Sequence, residues 1–251
     1  MSDPGWADYV QRFHAERPGI TERVLGRCRS DGIDPYQWCA KPIEGHDGLV
    51  MDIACGSGPM ATHFHGWFGT DCSAAELTTA TDRGRGPLVR ASATRLPFAA
   101  NATDALVCSM AMQVIQPVPD AITELARVLR PGGRAVLLLP ATGPITWRHA
   151  VVYLRLQAAL RRRIRYPNDR ALGTRRLSAT AAGHGLTVTS DERRAFALPI
   201  GSGADVDELV RSLYLPSVTS ARLRRARRVL SRRVGTELAV PLRRVVLDRS
   251  P

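Results

Sequence analysis

The stretch Leu49-Val50-Met51-Asp52-Ile53-Ala54-Cys55-Gly56-Ser57-Gly58 limits the fold more than any other part of the chain. Leu49 to Ala54 is an apolar run with one acid, too short for a helix, and it meets a glycine pair where a buried strand would stop and turn. Gly56 and Gly58 can adopt positive φ and, lacking Cβ, let the backbone come close to a ligand. Pro59 suits a helical first turn, which places the start of a crossover helix right after Gly58, its free N–H groups facing the turn. Such an end attracts a carboxylate or a phosphate.

Gly56-x-Gly58-x-x-Ala61 alone also satisfies the looser dinucleotide-binding pattern. The next acid adds weight. Trp67 to Asp71 reads as a second strand, and Asp71 lies 19 residues past Asp52, where a second-strand acid accepts hydrogen bonds from ribose hydroxyls. Ser73-Ala74-Ala75-Glu76 then forms a capping box for the following helix. This order is that of a doubly wound α/β domain.

Ahead of it, Trp6, Tyr9, Val10 and Phe13 share one helical face; a second helix runs from Ile20 to about Ser30, and Asp34-Pro35 caps a third. Residues 1–46 are therefore expected to form a helical N-terminal cap, and 47–251 the main domain. Within the latter, Leu88 to Ala91 and Ala105 to Ser109 read as strands, and Ile122, Leu125, Ala126 and Leu129 mark a helix. Ala135 to Leu139 is an uninterrupted apolar run, as a central parallel strand requires. Helices are expected over 146–165, 174–183, 204–215 and 221–234, short strands at 186–190 and 195–198, and a final strand at 238–247.

Four of these stretches together are similar to the class I S-adenosylmethionine (SAM)-dependent methyltransferases, and within them to the ubiquinone/menaquinone biosynthesis (type 11) small-molecule group. They are Asp52-Ile-Ala-Cys-Gly-Ser-Gly58, Gly69-Thr-Asp-Cys-Ser73, Leu96-Pro-Phe98 and Glu124-Leu-Ala-Arg-Val-Leu-Arg-Pro-Gly-Gly133. The resemblance covers about 49–140. It implies a Rossmann-like fold with a mostly parallel seven-stranded sheet, an antiparallel last strand and a substrate-side insertion at about 141–175. It also implies SAM as methyl donor, with S-adenosylhomocysteine as product. Gly56 and Gly58 would approach the methionine portion, Asp52 its amino group, Asp71 the ribose and Cys72 the adenine, with Ala54, Ala93 and Ser109 also at the cofactor. Where the family usually has an adenine-binding Asp, Ser92 stands; a neutral hydroxyl accepts a weaker bond than a carboxylate.

Methyl transfer from a sulfonium needs in-line placement and exclusion of water more than covalent help, so binding residues are legible and catalytic ones are not. His14 and His149 are the candidates for a general base, and Tyr9, Trp147 and Tyr153 for walls of an apolar acceptor pocket. The expected activity is methylation of a small apolar or aromatic metabolite. The alternative, an RNA methyltransferase, draws on the arginines of 155–165 and 222–233 and on the net charge of +12. Lys41 is the only lysine, however, so this charge reads as a compositional bias toward arginine, and nucleic acid is not the expected partner. A nicotinamide oxidoreductase is disfavoured because Lys41 lacks a tyrosine four residues before it. His63 and His65, two apart on the expected crossover helix, point to different faces, and no metal is expected. The five cysteines show no Cys-x-x-Cys pairing, the N-terminus lacks a signal-peptide pattern and no apolar run could span a bilayer, so a cytoplasmic protein is expected. The oligomeric state is left open, a homodimer included.

Overall fold

The computed structural model describes residues 4–251. Helices α1 (Pro4–Glu16), α2 (Ile20–Leu25) and α3 (Pro35–Ala40) precede the first strand, β1 (Val50–Ile53), all four residues of which are buried. Asp34 caps α3 by accepting from Tyr36 N and Gln37 N, and the Gln37 side chain answers to the Asp34 amide. The second helix stops at Leu25, short of the expected Ser30, because Arg29 leaves the helical path to exchange both backbone hydrogen bonds with Ala197.

After β1 come β2 (Trp67–Asp71), α4 (Ala74–Asp82), β3 (Leu88–Arg90), β4 (Thr103–Ser109), α5 (Val118–Val128) and β5 (Leu129–Pro140). Then follow α6 (Trp147–Leu160), α7 (Thr174–Ala182), β6 (Leu186–Ile200), α8 (Gly203–Ser212), α9 (Ser220–Ser231) and β7 (Thr236–Arg249). Among the described residues the sheet has seven strands in the order β3-β2-β1-β4-β5-β7-β6; β7 runs antiparallel to both neighbours and all other pairs are parallel. This is the mostly parallel, doubly wound sheet that the sequence predicts. Strand order reverses between β1 and β4, and at such a switch point the carboxyl ends of the strands open a crevice.

One expected element is missing. Residues 54–66 must carry the chain from the end of β1 to the start of β2, and the glycine turn uses the first of them. What remains closes as a single 3₁₀ turn, Pro59–His63, in place of a crossover helix. His63 ends that turn and His65 lies in the loop beyond, so the two do not share a helix. Leu186–Ser190 and Ala195–Leu198, expected as separate strands, are parts of one continuous strand because each residue of β7 offers them a partner.

Alternation along the strands sends Val50, Val107, Val136 and Leu138 to one face, against Trp38, Cys39, Leu156 and Phe196. Met51, Ile53, Leu106 and Leu137 go to the other, against Ile122, Leu125 and Leu177. Burying each large side chain of this kind contributes about 1.5–3 kcal/mol. No helix among the described residues is long and apolar enough to cross a membrane.

Candidate active site

At the end of β1 the backbone turns through three left-handed residues, Ala54 (φ 53°), Gly56 (φ 54°) and Gly58 (φ 74°). For Ala54, which has a Cβ, this costs about 1–2 kcal/mol, and the surrounding structure holds it there. The turn is tied to the end of β2 through Asp71, whose Oδ2 accepts from Gly56 N at 2.8 Å and whose Oδ1 accepts from Ser73 N at 2.8 Å. A carboxylate offers about four lone-pair positions. Two on Asp71 thus have no protein donor.

Asp52 is 1% exposed. Its Oδ2 accepts from Trp67 Nε1 at 3.3 Å, while Oδ1 is buried with no partner. Burial, reinforced by the charge of Asp71, pushes the Asp52 carboxyl well above the usual carboxylate range. On β4, next to β1 in the sheet, the hydroxyl of Ser109 is likewise buried and unpartnered. An acceptor of this kind, orphaned at a switch point, suits a donating or cationic ligand group, because a buried polar atom left unpaired costs about 1–3 kcal/mol.

The other sequence-predicted residues fall along the same carboxyl edge. Cys72 follows β2 and is exposed. Ser92 and Ala93 follow β3; the Ser92 hydroxyl bonds Thr94 Oγ1 at 2.8 Å and accepts from Thr94 N, shaping its own turn. Of the two histidines the structure brings only His14 to this edge. His149 sits on α6 with Nδ1 3.1 Å from Thr146 Oγ1 and Nε2 3.4 Å from the Glu237 carbonyl, and no contact ties it to the glycine turn.

Sequence reading missed several residues here. Ser73 Oγ accepts from Glu76 N and so caps α4, but the Glu76 carboxylate does not return to Ser73 as a full capping box requires. It is buried against the N-terminal segment instead, accepting from Gly19 N at 2.9 Å and bonding His14 Nδ1 at 2.7 Å. Glu22 on α2 accepts from Ser57 Oγ at 2.6 Å and from Arg85 at 2.7 and 2.8 Å, with Arg83 beside it. Burial works against ionisation of Glu22, yet hydrogen bonds from Arg85 and Ser57 hold its carboxyl below the usual range. These ties pair residues many positions apart, and no local pattern announces them.

Beside this edge lies a cavity of about 680 Å³ with walls that include Val24, Met110, Tyr153, Leu156, Leu213 and Tyr214. Tyr153 is held there by its hydroxyl, which donates to the Ala239 carbonyl at 2.7 Å. Gln113, 2% exposed, also lines the cavity; its Nε2 donates to the Met110 carbonyl and its Oε1 is buried without a partner. Tyr9 lies outside this wall, accepting from Leu215 N, and Trp147 is 73% exposed. Among the described residues no cluster of three metal-ligating side chains occurs.

Residues 51–137 match the family model described as a methyltransferase domain. The chain is 34% identical over 101 residues to the demethylmenaquinone methyltransferase of Beutenbergia cavernae, a match covering 38% of this chain and 42% of that protein. It is 31% identical over 103 residues to the 2-phytyl-1,4-naphtoquinone methyltransferase of Nostoc punctiforme, covering 36% and 45%. These matches thus span less than half the length of either relative. The YcgJ protein of Bacillus subtilis superposes with a TM-score of 0.55 at 16% identity, covering 86% of this chain and 97% of that one. The [4+2]-cyclase SpnF gives 0.56 at 18% identity over 96% and 95%. At these identities the likeness carries the fold alone.

Proposed function

We propose that this chain, whose residues 51–137 form a class I methyltransferase domain of the ubiquinone/menaquinone-biosynthesis type, transfers a methyl group from SAM to a small apolar or aromatic acceptor. The observation that carries the reading is the meeting of Gly56 and Asp71, 2.8 Å apart, beside the orphaned oxygen of Asp52. The three groups suit three parts of one ligand. Asp52 Oδ1, with Ser109 near the end of the adjacent strand, would receive the donor's ammonium. The turn at Ala54, Gly56 and Gly58 would lie along its methionine chain, and the free lone pairs of Asp71 would accept from its ribose. Cys72, Ser92 and Ala93 would border the adenine.

Bound there, SAM would supply a methyl activated by its positively charged sulfur, with the carbon–sulfur electron pair leaving on sulfur as the acceptor takes the methyl. The protein's part is placement and exclusion of water. Residues 4–46 are suited to a cap over the donor, since Gly19 and Glu22 lie on Glu76 and Ser57. Segments 141–175 and 209–214, with α2, wall the apolar cavity. The relatives' names point to quinone-type acceptors, and the aliphatic walls suit such a ring.

Calorimetric titration with S-adenosylhomocysteine tests this reading. Asp71→Ala, and Asp71→Asn, which keeps the side chain's shape, should each bind about thirtyfold more weakly, the loss of about 2 kcal/mol from charge-assisted bonds to the ribose. Equal affinity in both variants would remove Asp71 from the donor site.

A further inference from the structure

We infer that Tyr214, His14 and Glu76 form a proton relay from the acceptor cavity to the donor edge, and that the acceptor is an apolar molecule carrying an ionisable hydroxyl. The inference rests on the methyltransferase reading and adds what the acceptor must bring. The three residues come from distant parts of the chain: the last turn of α1, the first turn of α4 and the segment just after α8. Yet His14 Nε2 is 2.6 Å from Tyr214 Oη and His14 Nδ1 is 2.7 Å from Glu76 Oε1.

Chemistry orients the chain of bonds. An ionised carboxylate only accepts, so Nδ1 carries the proton and donates to Glu76, leaving the Nε2 lone pair to accept from the Tyr214 hydroxyl. The tyrosine oxygen keeps lone pairs of its own, and Tyr214 lines the cavity. Glu76 is 3% exposed and fixed by the Gly19 amide on its other oxygen, so the relay has a rigid foot. Its head is equally fixed: the Tyr214 ring packs on Phe13 at 4.5 Å between centroids, with Tyr166 at 6.1 Å and Tyr9 at 6.4 Å. Asp71, Tyr9, Tyr166 and Arg17, the last lying 5.0 Å over the Phe13 ring, are further ionisable groups around this relay. Burial, with the surrounding acids, pushes the Tyr214 phenol well above its ordinary range, so it conducts a proton and does not keep a negative charge.

The step balances without another reagent. The acceptor's O–H bond breaks, and the electron pair stays on its oxygen. The proton passes to Tyr214 Oη as that group's own proton moves to His14 Nε2. An imidazolium facing the Glu76 carboxylate remains, and the anion left in the cavity is the nucleophile that methyl transfer requires. Tyr214 is the catalytic residue in this scheme; His14 and Glu76 act through it.

The test uses the full chain with S-adenosylhomocysteine and 4-nitrophenol, whose anion absorbs in the visible, at a pH where the free phenol is mostly neutral. Bound to the wild type, the probe should show the phenolate band. In Tyr214→Phe and in His14→Gln the ratio of bound phenolate to bound phenol should fall about tenfold, a shift of one pKa unit, with the thermal midpoint reporting that each variant is folded. An unchanged ratio in both folded variants would overturn the relay, as would neutral binding or no binding of the probe to the wild type. Failure of S-adenosylhomocysteine to bind the wild type would strike the methyltransferase reading instead, and the probe's ionisation is read separately from it.

Discussion

Asp52 at one end of the sheet and Asp191 at the other are treated in opposite ways. At the donor edge β1, β2 and β3 are only 4, 5 and 3 residues long, and they deliver Asp52 to the interior with one oxygen unpaired. At the far end β6 and β7 run 15 and 14 residues, and each buried arginine there meets a carboxylate, although Arg244 Nε is left without a partner. Arg243 meets Asp191 at 2.6 and 2.7 Å and donates also to the Leu172 carbonyl; Arg244 meets Glu192 at 3.0 Å and lies over the Trp38 ring at 4.7 Å. Long paired strands bring complementary side chains across from one another and can satisfy them internally. Short strands ending together at a switch point cannot, and what they leave open is available to a ligand. The unpaired oxygen of Asp52 and the Arg243–Asp191 ion pair are thus two different uses of a buried polar group.

Breaking the pair at the supporting end should have the largest effect. Asp191→Asn leaves the Arg243 guanidinium buried without its carboxylate, which costs about 3 kcal/mol in urea unfolding at neutral pH, with donor affinity unchanged. Arg243 hydrogen bonding holds the Asp191 carboxyl below its usual range. Because this folded-state pKa is depressed, its stabilisation is present above the ordinary carboxylate pKa and is lost as pH falls through the lowered one. The variant should therefore lose less stability on acidification than the wild type.

The same chemical change at the donor end should have the opposite sign. Asp52→Asn removes a carboxyl whose folded-state pKa is raised by burial, and whose contribution is present below the unfolded pKa and lost as pH rises. At neutral pH the ligand-free variant should gain about 1 kcal/mol, a rise of about 2–4 °C in melting temperature, while its affinity for S-adenosylhomocysteine falls. A lower melting temperature in the ligand-free variant would show that Asp52 serves as a support after all.

The smallest effect sharpens the boundary of the donor edge. Cys28, Cys39, Cys55 and Cys108 are buried and Cys72 is exposed, so mass spectrometry after brief iodoacetamide treatment should find Cys72 alkylated first. The protein packed beside its sulfur, then the neighbouring Asp71, raise its thiol above the ordinary range, so labelling should quicken with rising pH. Saturating S-adenosylhomocysteine should slow it about tenfold if the adenine lies on this residue, whereas an unchanged rate would place the adenine elsewhere.

Much of the donor edge was legible because its determinants are local. An apolar run ended by glycines dictates a strand and a left-handed turn, and a second acid at a fixed distance dictates where the next strand delivers its carboxylate. The crossover helix was misread because Pro59 signals a helical start and says nothing of how far the chain has to run. Residues 54–66 leave room for a 3₁₀ turn only, and that shows once β1 and β2 are placed side by side. Glu76 was misread for a related reason, since a capping pattern fits its spacing to Ser73 while its carboxylate finds a better donor in Gly19 and a partner in His14.

By itself, then, the amino-acid sequence determined the α/β alternation, the glycine turn and the convergence of Asp52 and Asp71, because strand periodicity and backbone preference act over a few residues. Only the tertiary structure decided the apolar cavity, the placement of His14 and not His149 beside the glycine-turn end, and the bonds from His14 to Glu76 and Tyr214. Those depend on where side chains point after segments 62 and 200 residues apart have packed together, and no local pattern records that direction.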